Sequence, residues 1–151
     1  MLSQAAFHFE YSSVIPASRE KVWEFHERPD AIERLTPPGQ RVQVISRSGG
    51  LEAGAEVVFR VYLLGPISIR WVARHTACER YRQFTDEQIE GPFRYWHHVH
   101  EFETHGDGMR LTDRISFDVF GGPPAAWLVR RQLTSMFQHR HEVTRAAAAA
   151  L

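Results

Sequence analysis

The chain has 151 residues, 43% of them hydrophobic and 24% charged, which suits one folded domain with a proper core. Its 18 basic and 18 acidic side chains cancel, so no long-range field gathers nucleic acid or anionic membrane, and neither is an expected partner. A single cysteine, Cys78, excludes an internal disulfide, and no apolar run reaches the roughly 18 to 20 residues that span a bilayer. Met1–Ala6 lack a basic stretch followed by an apolar run, so no signal peptide is expected and the cytoplasm is the expected location.

Phe7, Phe9 and Tyr11 alternate with polar residues, the pattern of a half-buried strand that Pro16 closes. Ser18 is a good N-cap for a helix carrying Val22, Phe25 and His26 on one side. Pro29-Asp30 breaks that helix and starts a second short one over Ala31–Leu35, which Thr36-Pro37-Pro38-Gly39 ends. Strand-like segments follow at 41–47, 55–64 and 67–75, with turns at Gly49-Gly50 and Gly65-Pro66. In the third of these, Ile69, Trp71 and Ala73 oppose Arg70 and Arg74, so one face is dry and the other wet. Segments 81–89 and 94–105 form a hairpin around Glu90-Gly91-Pro92-Phe93, and Gly106-Asp107-Gly108 turns the chain into 111–120. After Gly121-Gly122-Pro123-Pro124, the residues Ala126, Val129, Leu133, Met136 and Phe137 form one apolar stripe on a long helix, expected from about Pro124 to Arg145. The Ala146–Ala150 tail favours helix but buries little and is expected to fray.

No internal repeat or linker divides the chain, so 1–151 reads as one α+β domain. Hairpin turns require antiparallel pairing. A curved antiparallel sheet wrapped around the long C-terminal helix, with two short helices after the first strand, satisfies every segment and leaves space between sheet and helix.

This order resembles the SRPBCC (START, Bet v 1, polyketide cyclase) superfamily and its helix-grip fold. The residues that carry the resemblance begin with Pro16-Ala17-Ser18-Arg19-Glu20-Lys21-Val22-Trp23, Leu35-Thr36-Pro37-Pro38 and Leu64-Gly65-Pro66-Ile67. Asp86-Glu87-Gln88, Gly91-Pro92-Phe93, Trp96-x-His98-x-His100-x-Phe102, Asp113-Arg114 and Phe137-x-x-Arg140 complete it, so that it runs from Phe7 to about Val143. Each motif is weak alone, and their order and spacing make the match, which is nearest to bacterial ligand-binding members. The resemblance implies a cavity for a small hydrophobic or amphipathic molecule, such as a lipid, polyketide, sterol or quinone. It implies no particular reaction, because carriers, sensors and cyclases share the fold.

The densest chemistry lies in Trp96-His97-His98-Val99-His100-Glu101-Phe102. Strand alternation puts Trp96, His98, His100 and Phe102 on one face, and the two aromatics mark it as the face toward the pocket. Across the turn, Phe84, Asp86 and Gln88 share that face if the register is even, which sets Asp86 near His98 and Gln88 near Trp96; a slip of one residue undoes both. Three readings of the histidines stay open: buried polar groups bonded to Asp86, Asp113 or each other; directional contacts to a ligand's polar head; or metal ligands with a third from His75 or Asp86. Two ligands make a poor site, so no metal or other cofactor is expected.

Asp113 sits between Leu111 and Ile115 on one strand face and needs an Arg or His partner there. Arg140 continues the inward stripe of the last helix, where it either clamps an anionic ligand group or, the favoured reading, pairs with an acid at the sheet rim. His139 and His141, two apart on a helix, diverge. The expected ligand-binding set is thus Trp71, Phe84, Asp86, Gln88, Trp96, His98, His100, Phe102, Phe137 and Arg140. No catalytic motif is visible, and whether the chain is an enzyme stays open. A binding module, a cyclase or hydratase working through pocket His and Asp, and an interaction domain with a filled cavity are the competing functions. No integral membrane association is expected, and a homodimer is left open.

Overall fold

The computed structural model describes residues 5–150, so most of the stretch read for a signal peptide lies outside the described residues. β1 (Phe7–Ile15) is followed by two short helices, α1 (Arg19–Glu27) and α2 (Ala31–Leu35). Then come β2 (Arg41–Ser48), β3 (Glu56–Leu64), β4 (Ile67–Glu79), β5 (Gln83–Glu90), β6 (Tyr95–His105) and β7 (Gly108–Asp118), and last the helix α3 (Gly122–Ala149). The seven strands make one antiparallel sheet in the order β1-β7-β6-β5-β4-β3-β2. Hairpins link β2 through β7, and β1 closes the far edge beside β7.

Local chemistry explains the elements. The Ser18 hydroxyl accepts from the Lys21 amide at 3.2 Å and starts α1 as an N-cap. Gly106 takes φ +56° in the turn between β6 and β7, a conformation glycine adopts without steric cost. Register shifts at Val44/Ser46, Tyr62/Leu64 and twice between β4 and β5 add bulges, and bulges bend the sheet. The bent sheet holds α3 on its concave side.

Close backbone contacts of α3 are with β1, β7, α1 and α2. The concave face of β3, β4 and β5 is therefore left facing open volume. Beneath α1, Trp23 packs against Phe84 and Phe102 with Ile15, Met109 and Leu111. A second cluster joins Ile115 and Phe117 to Leu133 and Phe137 of α3. Among the described residues, no helix is long and apolar enough to cross a membrane.

The alanine tail differs from its expected fraying. α3 runs on to Ala149, with Ala147 packed against Phe25 and Leu35, and Ala148 in the Trp23 cluster at 2% exposure. Small side chains let the last turn approach α1 and α2 closely, so Ala147 and Ala148 are buried against them. Overpacking this contact should cost about 1–3 kcal/mol. Ala148→Leu is accordingly expected to lower the urea midpoint while Ala149→Leu, at an exposed position, leaves it unchanged. Equal midpoints for the two variants would mean the tail is not docked.

Candidate functional site: a carboxylate–histidine network at a cavity wall

Asp113, on β7, is the hub. Its register partners are Tyr11 on the edge strand β1 and His100 on β6. His98 Nε2 donates to Asp113 Oδ1 at 2.8 Å, and His141 Nε2, from α3, donates to Oδ2 at 2.7 Å. His100 Nδ1 lies 3.1 Å from Oδ1. On its other side His100 Nε2 donates to Asp86 Oδ2 at 2.9 Å. His141 Nδ1 shares a 2.6 Å hydrogen bond with the Ser13 hydroxyl of β1, and the Tyr11 ring meets the His141 ring edge-on. Each of the three histidines thus points a nitrogen at one carboxylate.

This geometry sets the charges. Burial works against ionised Asp113, yet the bonds from His100, His141 and His98 outweigh it and hold its carboxyl well below the usual range. Asp86 is likewise lowered despite burial, mainly by its bond from His100. Burial also opposes a charged His100, but hydrogen bonds to both Asp113 and Asp86 win and raise its pKa. With a carboxylate beside each ring nitrogen, the surroundings of His100 favour its imidazolium form. His98 goes the other way: burial, then the neighbouring charge on His100, keep it neutral. The stacked Phe84 ring, centroid 3.9 Å from that of His100, covers the imidazolium's face.

A cavity of about 680 Å³ opens in front of this network, between the concave sheet, the α2–β2 segment and α3. Of the residues expected to bind a ligand, Trp71, Phe84, Asp86, Trp96, His98, His100 and Arg140 line it. The predicted register of Asp86 opposite His98 is present, although the tighter bond of Asp86 is to His100, two residues along β6 on the same face. Three predicted residues lie elsewhere. Gln88 folds its amide back onto the Phe93 backbone, donating to its carbonyl at 2.8 Å and accepting from its amide at 3.1 Å, because the chain is already turning there. Phe102 points under α1 into the Trp23 cluster, beyond the reach of the cavity. Phe137 packs between Phe9 and His98 and borders only a hollow of about 20 Å³ beside the main cavity. The favoured ion pair of Arg140 is absent among the described residues: its guanidinium lies over the Phe137 ring, and its buried Nε has no hydrogen-bond partner.

Sequence reasoning missed three polar residues. His141 reads as divergent beside His139, but it follows Leu133 and Phe137 at intervals of four, and that periodicity is the signal for its inward position. His26, on the buried side of α1, lines the cavity and donates from Nδ1 to the Val22 carbonyl at 2.8 Å; burial lowers its pKa to about 4. His75 reaches the cavity from β4, where its backbone is pinned by bonds to Gly54 and Ala55.

Asp86, His98 and His100 bring possible ligand atoms within 4.8 Å of one another. The two imidazoles, however, are stacked at 3.6 Å with only 28° between their planes. A nitrogen lone pair lies in its ring plane, so nearly parallel rings cannot aim at one ion unless one leaves the stack. The arrangement suits hydrogen bonds to flanking carboxylates. Chelators are expected to leave the melting temperature unchanged; stoichiometric zinc or iron that is lost on His98→Ala would contradict this.

The raised pKa of His100 has a definite pH signature. A folded-state pKa above the unfolded value of about 6.5 gives stability that is complete below that value and is lost as pH rises through the folded pKa. The groups facing His100 are Asp86, Asp113 and His98, with His26 and Arg140 across the hollow. Thermal melts from pH 6 to 9 should therefore show wild type losing its advantage over His100→Gln as the pH climbs. A constant difference across that range would mean His100 is not charged in the fold.

The fold now has named counterparts. Ara h 8.0201 superposes with a TM-score of 0.73 at 12% identity, over 96% of this chain and 99% of that one. The di-domain ARO/CYC StfQ from the steffimycin biosynthetic pathway superposes at 0.75 with 13% identity, over 95% of this chain and 51% of StfQ. A nucleoside-diphosphate sugar epimerase from Corynebacterium glutamicum is 30% identical over 91% of this chain, with a TM-score of 0.68, but the match occupies only 28% of the epimerase. A comparison with curated proteins finds no match. The model of the family described as "Polyketide cyclase / dehydrase and lipid transport" matches residues 15–142, nearly the whole sheet and most of α3, and the chain belongs to that family, with the Bet v 1-like helix-grip fold of the SRPBCC superfamily.

Proposed function

We propose that the chain binds a small, largely apolar molecule with a polar end, held in the cavity between sheet and α3. The observation that carries this reading is the polarity of the cavity wall. Val57, Phe59, Trp71 and Trp96 from the sheet and Leu133 and Met136 from α3 give it an apolar side. Asp86, His98, His100 and Arg140 give it one polar end. A volume of about 680 Å³ falls within the usual size of small-molecule sites, and such sites pair apolar walls with a few placed polar groups. The same volume counts against a cavity filled by the protein's own side chains.

A second reading rests on one specific observation, His100 at the cavity wall between two carboxylates that favour its charged form. Such a group can protonate a carbonyl or hydroxyl oxygen if its Nε2–H leaves Asp86 for the ligand, with Asp113 still favouring the charged form from the other side. The family description couples cyclase and dehydrase chemistry with lipid transport, and StfQ is an ARO/CYC protein. Both readings use the same end of the same cavity; they differ in whether the bound molecule is changed.

Apolar ligands with a polar end are expected to quench the fluorescence of Trp71 and Trp96 and to raise the melting temperature, because a ligand that binds only the folded state stabilises it by mass action. Trp96→Ala should weaken all such ligands by removing apolar contact. His100→Leu should keep the fold and cost ligands with a hydrogen-bonding head about 1 kcal/mol or more, while sparing ligands without one. Affinities that neither substitution alters would place the binding surface elsewhere.

A further inference from the structure

We propose that the polar end of the cavity is built for a monocarboxylate, received by Arg140, on a ligand whose body is aromatic or polycyclic. This deepens the ligand-binding reading and rests on it. Among the described residues, the charges around the network are matched with one exception, the half-buried Arg140. Asp113 has three histidines and Asp86 has His100. Arg140 borders both the main cavity and the small hollow beside it. It lies over the Phe137 ring at 5.0 Å, and its buried Nε has no hydrogen-bond partner. A guanidinium stays protonated in proteins, and a buried donor on it is costly to leave unpaired. Burial opposes its charge, and the attraction of Asp113 and Asp86 only partly offsets that. The missing partner is an anion that enters from the cavity.

A second, independent observation points the same way. His75, 9% exposed, presents a buried Nδ1 without a partner on the wall contributed by β4. Among the described residues, the cavity wall thus carries two side chains with a buried nitrogen that lacks a hydrogen-bond partner, Arg140 and His75. A planar carboxylate suits the fork of Arg140. A more highly charged head such as a phosphate monoester suits it less, because Asp113 and Asp86 already act electrostatically on the same guanidinium and repel extra negative charge. The aromatic wall of Phe59, Trp71 and Trp96, with Trp71 and Trp96 edge-to-face at 5.2 Å, offers flat faces for a ring system rather than a narrow channel for one alkyl chain.

Calorimetric titration of the full chain at pH 7.5 with naphthalene-2-carboxylate and its neutral counterpart naphthalene-2-carboxamide tests this. Wild type is expected to bind the acid at least about tenfold more tightly than the amide, the usual scale of a charge-assisted hydrogen bond. Arg140→Met, whose side chain still covers Phe137, should bring the acid to about the level of the amide and change the amide's affinity little. Arg140→Lys should keep part of the preference, as a point charge without the fork. The comparison of the two probes on wild type stands even if a variant fails to fold. Equal binding of acid and amide by wild type, or an equal loss of both in Arg140→Met, overturns the carboxylate assignment and leaves the ligand-binding reading intact. Binding of neither probe overturns both.

Discussion

Burying the carboxylate of Asp113 constrains more of this molecule than any other single interaction. An unpaired charge at 4% exposure would cost several kcal/mol, and the protein meets that cost with three imidazoles from two elements. Each bond fixes something larger. His98 and His100 require β6 to sit in one register against β7, since a one-residue slip would turn both to the opposite face. His141 requires α3 to cross at one place and one rotation, and its second nitrogen, bonded to Ser13, ties the same turn to β1. Removing Asp113 would leave three buried imidazoles to find new partners. Removing one histidine would leave the others still organised around the carboxylate.

The cavity follows from the same tether. Because α3 is held over β1 and β7, it cannot settle onto the concave face of β3, β4 and β5, and the volume left there opens beside the network. The polar end of the cavity and the anchor of the helix are therefore one set of residues. His100 thus ties the stability of the network to the cavity wall: it sits between two carboxylates and also lines the cavity. Arg140, one turn before Thr144 and one after Phe137 on the same helix, has no such hydrogen-bonded partner for its Nε among the described residues, which is the place the proposed carboxylate would take.

Much of this was legible in the sequence because strands advertise their faces by alternation. Trp96, His98 and His100 share a face in any strand that contains them, and the Gly91-Pro92 turn brings Asp86 opposite His98 in the structure. The need of Asp113 for a basic partner also follows from its apolar neighbours Leu111 and Ile115. What alternation cannot show is where a strand's face changes what it looks at. Phe102 obeys the pattern, but by that point along β6 the concave face is covered by α1, so the side chain enters the core. Gln88 obeys it too, until the chain turns and its amide is used to close that turn. Helical residues posed the other difficulty. His141 and Ala148 lie inward by periodicity, yet a polar or a small side chain gives no apolar signal, so only the packed helix reveals the bond to Asp113 and the docking of the tail. His75 was weighed only as a metal ligand; its place on the cavity wall depends on the irregular pairing of β4 with β5.

The protonation of the three imidazoles is the most direct test of this organisation. Long-range nitrogen–proton correlation spectra of the histidine side chains at pH 7 read each ring nitrogen separately. The structure predicts His100 protonated on both nitrogens, with both protons slow to exchange, and His98 neutral with its proton on Nε2 toward Asp113. In Asp113→Asn the His100 signals should move toward the neutral form. A neutral His100 in the wild-type protein, or a His98 whose proton sits on Nδ1, would contradict a network organised by Asp113.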